Sequence, residues 1–415
     1  MALAAPTPSA LRAEKTGITL PPDSIEGIHL GQAFNYHVPD VTAETGKIDL
    51  VWAAEKPEPK SVYNMYYYPF DRNLNERVGS ELYKLEWFKA HHPDWIVYTC
   101  RAANYASQQE VPDDAVAWEF NNRGPWVPLD ISNAAVLRFM FDTYLRPAIG
   151  RGYPAIAFDN VVLGNAHGRC GIWRDGRWVR QYSGETYGDP AFIRAVADWA
   201  EWMSRELHAA GGAMAVNLTY NPALAQAEAT LDKVARVVDI IVPEGGTEHF
   251  GRGSGAGTAA DWQALIGWLR HVQGDGKPLF LLNYTPGESL SNRDPQANVQ
   301  WDLANYLLLK SRHTYLSVQP LPGSPGAQEG KKEGALEWLR PEFFAPVGHP
   351  VGDMRQEGEA FLRDYSNGKA IVNPSRSATV PVAIDPNAWR DLYGNALAAL
   401  TLAPQSAIVL LKNDR

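Results

Sequence analysis

Two short runs hold the acids on which the chemistry of this chain would turn. The first is Gly152-Tyr153-Pro154-Ala155-Ile156-Ala157-Phe158-Asp159-Asn160-Val161. It reads as a buried strand that ends in a carboxylate. Alternation puts Ala155, Ala157 and Asp159 on one face and Ile156 and Phe158 on the other. Small residues suit the narrow lumen of a parallel barrel, and large ones suit the helices around it. The acid then stands at the carboxyl end of the strand, where barrel enzymes keep their chemistry. The second run, Asp239-Ile240-Ile241-Val242-Pro243-Glu244, ends in an acid followed by Gly245-Gly246. Two acids at strand ends are what cleavage of a glycosidic bond needs. One protonates the leaving oxygen, and the other attacks the anomeric carbon or activates water. A separation of about 5 Å gives retention and ~6.5–9.5 Å gives inversion. Asp159, short and held close to its strand, is the expected nucleophile. Glu244, with its longer reach, is the expected general acid/base.

Other residues could hold a sugar around these acids. Asn217, Tyr220, Asn283, Tyr284 and Gln319 fall at or near strand ends, and Asn217 could instead orient Glu244. Asp130 could bind substrate or pair with Arg101. Asn160 could fix the geometry beside Asp159. Asn165, His167 and Trp173 lie in a long loop after the fourth strand, of a kind that shapes clefts. Trp52, Trp118 and Asn121 could add to the rim. The 14 Trp and 18 Tyr of the chain favour stacking on sugar faces. Each has a bland alternative: an ion pair with Arg101 or a helix cap for Asp159, a solvated loop acid for Glu244, a core amide for Asn217, an exposed loop histidine for His167.

The elements that would position these residues follow a strand–loop–helix rhythm, the signature of a parallel β/α fold. Eight strands are expected at 48–54, 94–101, 126–132, 155–161, 213–220, 239–244, 278–284 and 315–319. Helices are expected between them, around 80–91, 134–149, 189–210, 224–237, 259–272 and 297–311. The strand ends carry a ring of polar residues: Arg101, Asp130, Asp159, Asn217, Glu244, Asn283 and Gln319. The Gly-rich stretch 245–257 could act as a lid. After Pro320 the character changes. Helical segments near 336–344 and 356–365 precede short runs that read as antiparallel strands. The expected fold class is therefore α/β: a (β/α)8 TIM barrel followed by a small C-terminal antiparallel β-sandwich. Its divisions are a flexible leader at 1–22, the barrel at 23–345 and the sandwich at 346–415.

Composition narrows the partners. The 415 residues carry a net charge of -9 with no basic stripe, which argues against nucleic acid. No run approaches the ~20 apolar residues of a membrane span. No metal motif, phosphate loop or dinucleotide fingerprint occurs, so neither metal nor cofactor is expected. Nothing in the sequence fixes an oligomeric state. Of the two cysteines, Cys100 and Cys170, two free thiols are expected over one disulfide, which would need both near the barrel top. The start, Met1-Ala2-Leu3-Ala4-Ala5-Pro6, looks like the tail of a cleavage site, so an exported protein is expected.

Several runs together resemble a known group. They are WVPLDISNAAVLRF (126–139), GYPAIAFDNVVLGN (152–165), GIW with WV four residues on (171–179), VPEGG (242–246), GKAIVNPS (368–375), DLYG (391–394) and LAPQSAIVLL (402–411). This pattern resembles the glycoside-hydrolase-like family numbered fifteen, which implies a (β/α)8 hydrolase with a trailing β-sandwich. A more distant likeness is to retaining α-glycosidases of the dextranase and α-galactosidase type. These carry the nucleophile at strand four and the acid/base at strand six, the places of Asp159 and Glu244. That likeness implies retention at an α-linkage. The expectation is an exported retaining hydrolase of a poly- or oligosaccharide. Its rivals are an inverting hydrolase with the same acids, a non-catalytic carbohydrate-binding barrel and a polysaccharide lyase.

Overall fold

The computed structural model describes residues 19–33, 47–54, 57, 62–74, 83–118, 126–186, 188–218, 228–245, 247, 257–284, 295–319, 339–385 and 387–413. The expected leader and the Gly-rich stretch after Thr247 fall almost wholly outside them.

Eight strands carry the fold: β1 (Gly31–Ala33), β2 (Leu50–Ala54), β3 (Tyr63–Pro69), β4 (Ala155–Asp159), β5 (Ala213–Asn217), β6 (Ile240–Val242), β7 (Leu279–Tyr284) and β8 (Thr314–Gln319). They form one sheet in chain order. A parallel bridge from Leu30 to Leu316 brings the first strand beside the last. Parallel strands in sequence order, with the first returning to the last, are the arrangement of a TIM barrel.

Two expected strands are corrected. The run 94–101 contributes only Tyr98–Thr99, which pairs antiparallel with Arg169–Arg174. The run 126–132 contributes Trp126–Pro128, antiparallel to Arg72–Leu74. Their places belong to β1 and β3. All seven residues of β3 are buried, so the alternation that marks a half-exposed strand is missing from its sequence. Both exchanges precede Ala155. The strand of Asp159 is still the fourth, and the strand ahead of Glu244 is still the sixth.

The chain divides into two compact units, residues 66–239 and residues 1–65 with 240–415. In the first, β4 and β5 pair in parallel, with Ala155 opposite Ala213 and Phe158 opposite Val216. Phe158 meets Trp199 edge-on at 5.0 Å, on the helix Pro190–Ala209. The large residues of β4 therefore face the helix, and Asp159, one residue on, faces the other way. Burying a ring of this size contributes about 1.5–3 kcal/mol. Asp189 caps that helix, accepting from the amides of Ala191 and Phe192. The expected helix at 134–149 is helical without a break but changes pitch, with a π segment at Phe141–Leu145 between α segments at Ala134–Met140 and Arg146–Gly150.

The excursion after β4 is pinned by a disulfide between Cys100 and Cys170. This corrects the expectation of free thiols. Tyr98 lies opposite Gly171 and Thr99 opposite Arg169, so the flanking cysteines come within 5.0 Å between Cα atoms, inside bridging range. The pairing joins strands 70 residues apart and leaves no mark in local spacing.

In the second unit, β7 and β8 pair along six residues. The C-terminal strands are β9 (Arg355–Glu357), β10 (Ala360–Asp364), β11 (Gly368–Asn373), β12 (Val380–Val382), β13 (Trp389–Asp391), β14 (Leu400–Leu402) and β15 (Ser406–Lys412). Five form an antiparallel sheet in the order β9-β10-β11-β15-β13, and β12 pairs with β14. Leu362, Ile371 and Leu410 share a core with Val380, Val382, Leu400 and Leu402, so the two sheets bury one apolar cluster. The helix expected at 356–365 is instead the hairpin of β9 and β10, turned at Gly358 with φ +61°. Of the helix expected at 336–344, the described residues show a 3-10 turn at Pro341–Phe344. Arg363 donates to the carbonyls of Leu307, Leu308 and Lys310, closing the end of the helix Pro295–Leu309.

Candidate active site

Asp159 ends β4 and is 7% exposed. Three side chains donate to it. Asn217, the last residue of β5, gives its amide to Oδ1 at 2.7 Å. The Tyr67 hydroxyl reaches Oδ2 at 3.2 Å, as does the amide of Asn160. All three partners are donors, the pattern that an ionised carboxylate accepts. The register sets the pair, since Phe158 opposite Val216 leaves Asp159 beside Asn217. Asn160 holds φ +55°, a left-handed conformation that Asn tolerates better than most residues. It turns the chain sharply at the carboxylate.

A cation stands beside this acid. Arg72 is buried, and burial pushes its guanidinium below the ordinary value, while Tyr67 and the charge of Asp159 act to raise it. It lies over the Trp126 ring at 4.6 Å. His167 is pushed down to about 4, first by burial and then by Arg72. At neutral pH it is therefore an uncharged imidazole. Next to Arg72, Asp71 forms a buried ion pair with Arg169, which ties the excursion back to this region.

In the other unit, Glu244 follows β6 by two residues and is half-buried. It bridges Leu282 of β7 in parallel. The Tyr284 hydroxyl, also on β7, donates to its Oε1. Gly245 turns at φ +62° and gives its amide to the Leu282 carbonyl at 2.6 Å. Thr247 is then held by the amide of Asn283 at 3.3 Å and, through its carbonyl, by the Trp301 indole at 2.9 Å. Glu244 therefore sits on a turn anchored to β7, with part of its surface open.

The remaining candidates fall into several groups. Asn217, Asn160 and His167 lie in the surroundings of Asp159, and Tyr284 and Asn283 in those of Glu244. Arg101 is exposed and pairs with Asp114 at 2.8 Å, which replaces the expected pairing with Asp130 or Asp159. Asp130 is fully buried and accepts from the Ser132 amide, the Ser132 hydroxyl and Gln181, so it shapes the turn ahead of the next helix. Asn165 exchanges two bonds with the Arg169 backbone. Gln319 does the same with Ala33, extending the contact of β8 with β1. Trp52 and Trp173 are buried and offer no open ring face. Trp118 is half-buried and donates to the Asp113 carbonyl at 2.6 Å. Asn121 and Tyr220 lie outside the described residues.

Sequence reasoning missed Tyr67 and Arg72. A signal was present: the run Tyr66-Tyr67-Tyr68-Pro69-Phe70-Asp71-Arg72-Asn73 is an aromatic strand ending in polar residues, the same mark that picked out Asp159. Among the described residues, no group of three or more His, Cys, Asp or Glu is placed to hold a metal ion. Among the same residues, no helix is long and apolar enough to cross a membrane.

No family model matches the sequence, and no curated protein matches it. Among solved structures, the chain is similar to the noncanonic maltogenic alpha-amylase AmyB from Thermotoga neapolitana, at 11% identity over 93% of this chain and 99% of that one, with a TM-score of 0.45. It is also similar to a family GH13_31 enzyme, at 11% identity over 85% and 83% with a TM-score of 0.44. A third likeness is to the GH36 alpha-galactosidase AgaB from Geobacillus stearothermophilus, at 9% identity over 85% of this chain and 45% of that one, with a TM-score of 0.36.

Proposed function

We propose that this chain hydrolyses the glycosidic bond of a poly- or oligosaccharide with retention, at an α-linkage, and that it is exported. Asp159 is the nucleophile and Glu244 the general acid/base. The observation that carries the reading is the setting of Asp159: a nearly buried carboxylate at the end of the fourth strand, oriented by three donors and flanked by Arg72. Buried carboxylates with this many dedicated partners are costly unless their orientation serves a purpose.

In the first step an Asp159 oxygen bonds to the anomeric carbon as the bond to the leaving oxygen breaks, and Glu244 gives that oxygen its proton. In the second step Glu244 takes a proton from water, the water oxygen attacks the same carbon, and Asp159 leaves as a carboxylate. Tyr67 on Oδ2 and Asn217 on Oδ1 keep the carboxylate aimed through both steps. Tyr284 donates to Glu244, which is half-buried and so keeps part of its surface open for passing a proton. The Cys100–Cys170 disulfide supports an oxidising compartment.

The test is a screen of the full chain against a broad panel of glycans, with products read by mass and by NMR of the newly formed anomeric centre. Release of an α-anomer from an α-linkage supports the reading. First release of the β-anomer replaces it with inversion, unsaturated product ends replace it with a lyase, and binding without cleavage replaces it with a sugar-binding barrel.

A further inference from the structure

Three buried charges stand in line behind Asp159. Arg72 donates to the Tyr67 oxygen, and the Tyr67 hydroxyl donates to Asp159 Oδ2 at 3.2 Å. Behind Arg72 lies Asp71, with 3.9 Å between its Oδ1 and a terminal nitrogen of Arg72. Behind Asp71 is Arg169, whose Nη2 donates to the other carboxylate oxygen, Oδ2. All four charged side chains are buried. Their signs alternate from Arg169 to Asp159, so each charge has an opposite neighbour and the line as a whole is neutral.

As a mere staple between Asp71 and the excursion, the Asp71–Arg169 pair is poorly made. Asn165 already holds the Arg169 backbone at both its amide and its carbonyl, and the adjacent Cys170 is tied to Cys100. Among the described residues, Nε and Nη1 of Arg169 find no acceptor and Oδ1 of Asp71 no donor. Unpaired buried polar groups cost stability, and apolar side chains of similar volume join two segments at least as well. Arg169 nevertheless keeps its charge, since burial lowers its guanidinium only to about 10. What an apolar pair cannot supply is a cation that occupies Asp71. An anion behind Arg72 helps to keep that buried guanidinium charged. Left without a second cation, the same anion would draw Arg72 away from Tyr67 and Asp159.

We propose that Arg169 is a positioning residue for the nucleophile: by engaging Asp71 it leaves Arg72 to Tyr67 and Asp159. This role rests on the reading of Asp159 as nucleophile and extends its support by two side chains. The other titratable groups that face the line are Tyr68 and His167 at Arg72, and Tyr182 at Arg169 with Asp130 and Asp189 beyond it. Burial holds the Tyr182 hydroxyl well above its ordinary value, and His167 titrates near 4. Without Arg169, Asp71 becomes a buried carboxyl with no cation of its own, and burial raises such a group above the ordinary carboxylate range. Below that new titration Asp71 is neutral and Arg72 stays with Asp159. Above it Asp71 is charged and captures Arg72.

The test follows the side-chain Nε–H resonance of Arg72 by NMR, identified by its loss in Arg72→Lys, across the ordinary carboxylate and histidine range. It needs no turnover. In the wild-type chain the resonance should shift with Asp159 and with His167, steps that vanish in Asp159→Asn and His167→Gln respectively. Arg169→Met should add a further step at higher pH, and Asp71→Asn on top of it should remove that step. Once a cleaved glycan is known, kcat of Arg169→Met should fall about 10-fold as pH rises through the same step, the size of one lost bond to a charged group, with KM little changed. A wild-type resonance blind to Asp159, no added step in Arg169→Met, an added step that survives Asp71→Asn, or a rate loss equal at all pH would overturn the role. Where Arg169→Met does not fold, Asp71→Asn with Arg169→Met buries no lone charge and decides: loss of the Asp159 step there overturns it. An added step in the resonance that the rate ignores would instead overturn Asp159 as nucleophile and leave the line of charges standing.

Discussion

Asp159 and Glu244 occupy opposite kinds of surroundings. Asp159 is 7% exposed, belongs to its strand and has three side-chain donors with a buried cation close by. Glu244 is half-buried, lies beyond its strand on a glycine turn and accepts from Tyr284. A nucleophile gains from being immobile, because misplacement of the attacking atom is costly. A group that must give a proton, take one and touch two different oxygens gains from partial freedom and contact with water. The contrast in burial and in position on the strand is consistent with the proposed roles, and it can be broken at several points.

The largest effect is expected at the fixed end. Asp159→Asn should lower turnover on the order of 10⁴-fold or more, as removal of a nucleophile does elsewhere, with thermal unfolding little changed. Glu244→Gln should lower it about 10²–10⁴-fold, and by much less for aryl glycosides whose leaving group needs no proton. If the leaving group makes no difference to the Glu244 variant, the division of labour fails. Tyr67→Phe or Asn217→Ala each removes a bond to a charged group, about 1.5–3 kcal/mol, or roughly 10–150-fold in rate. Tyr284→Phe should act less on rate and more on the pH profile. Equal rate losses for the Tyr67 and Tyr284 variants would erase the contrast.

Smaller effects concern stability on the Asp159 side. Opening the Cys100–Cys170 bridge releases a loop of 70 residues and should cost about 4 kcal/mol by the chain-entropy model, read as a lowered midpoint in denaturant. His167 titrates near 4 in the folded chain against an ordinary 6.5. The unfolded chain takes up the proton first, so stability should fall as pH drops from about 6.5 to about 4. His29, also lowered to about 4, adds to that slope, and Asp49, raised to about 6 by burial, opposes it. The expected reading is a flatter dependence of Tm on pH in His167→Gln over that window. An unchanged slope would mean that burial and Arg72 do not hold His167 below its ordinary value.

Much of the frame was legible because parallel strands buried on both faces leave long apolar runs. β4, β5, β7 and β8 announce themselves this way, and the small-residue parity of Ala155, Ala157 and Asp159 gives the direction of the acid. β3 was hidden by its own composition, since Tyr63–Pro69 is apolar enough to be buried and polar enough to read as a loop. With β3 went Tyr67 and Arg72. The disulfide and the ion pair of Asp71 with Arg169 depend on contacts between distant segments, which no window of sequence displays. Gln319 and Asn165 show the converse. Polar residues at strand ends and in loops also serve the backbone, and residue type alone does not separate these uses.

The central claim is that Asp159 forms the covalent intermediate. The most direct measurement is mass spectrometry of peptides from Glu244→Gln, quenched during turnover of a fluoride glycoside of the sugar found in the glycan panel. The account predicts one glycosyl unit on the peptide containing Asp159 and none when Asp159 is replaced by Asn. A glycosyl unit on another residue, or full turnover by Asp159→Asn, would contradict it.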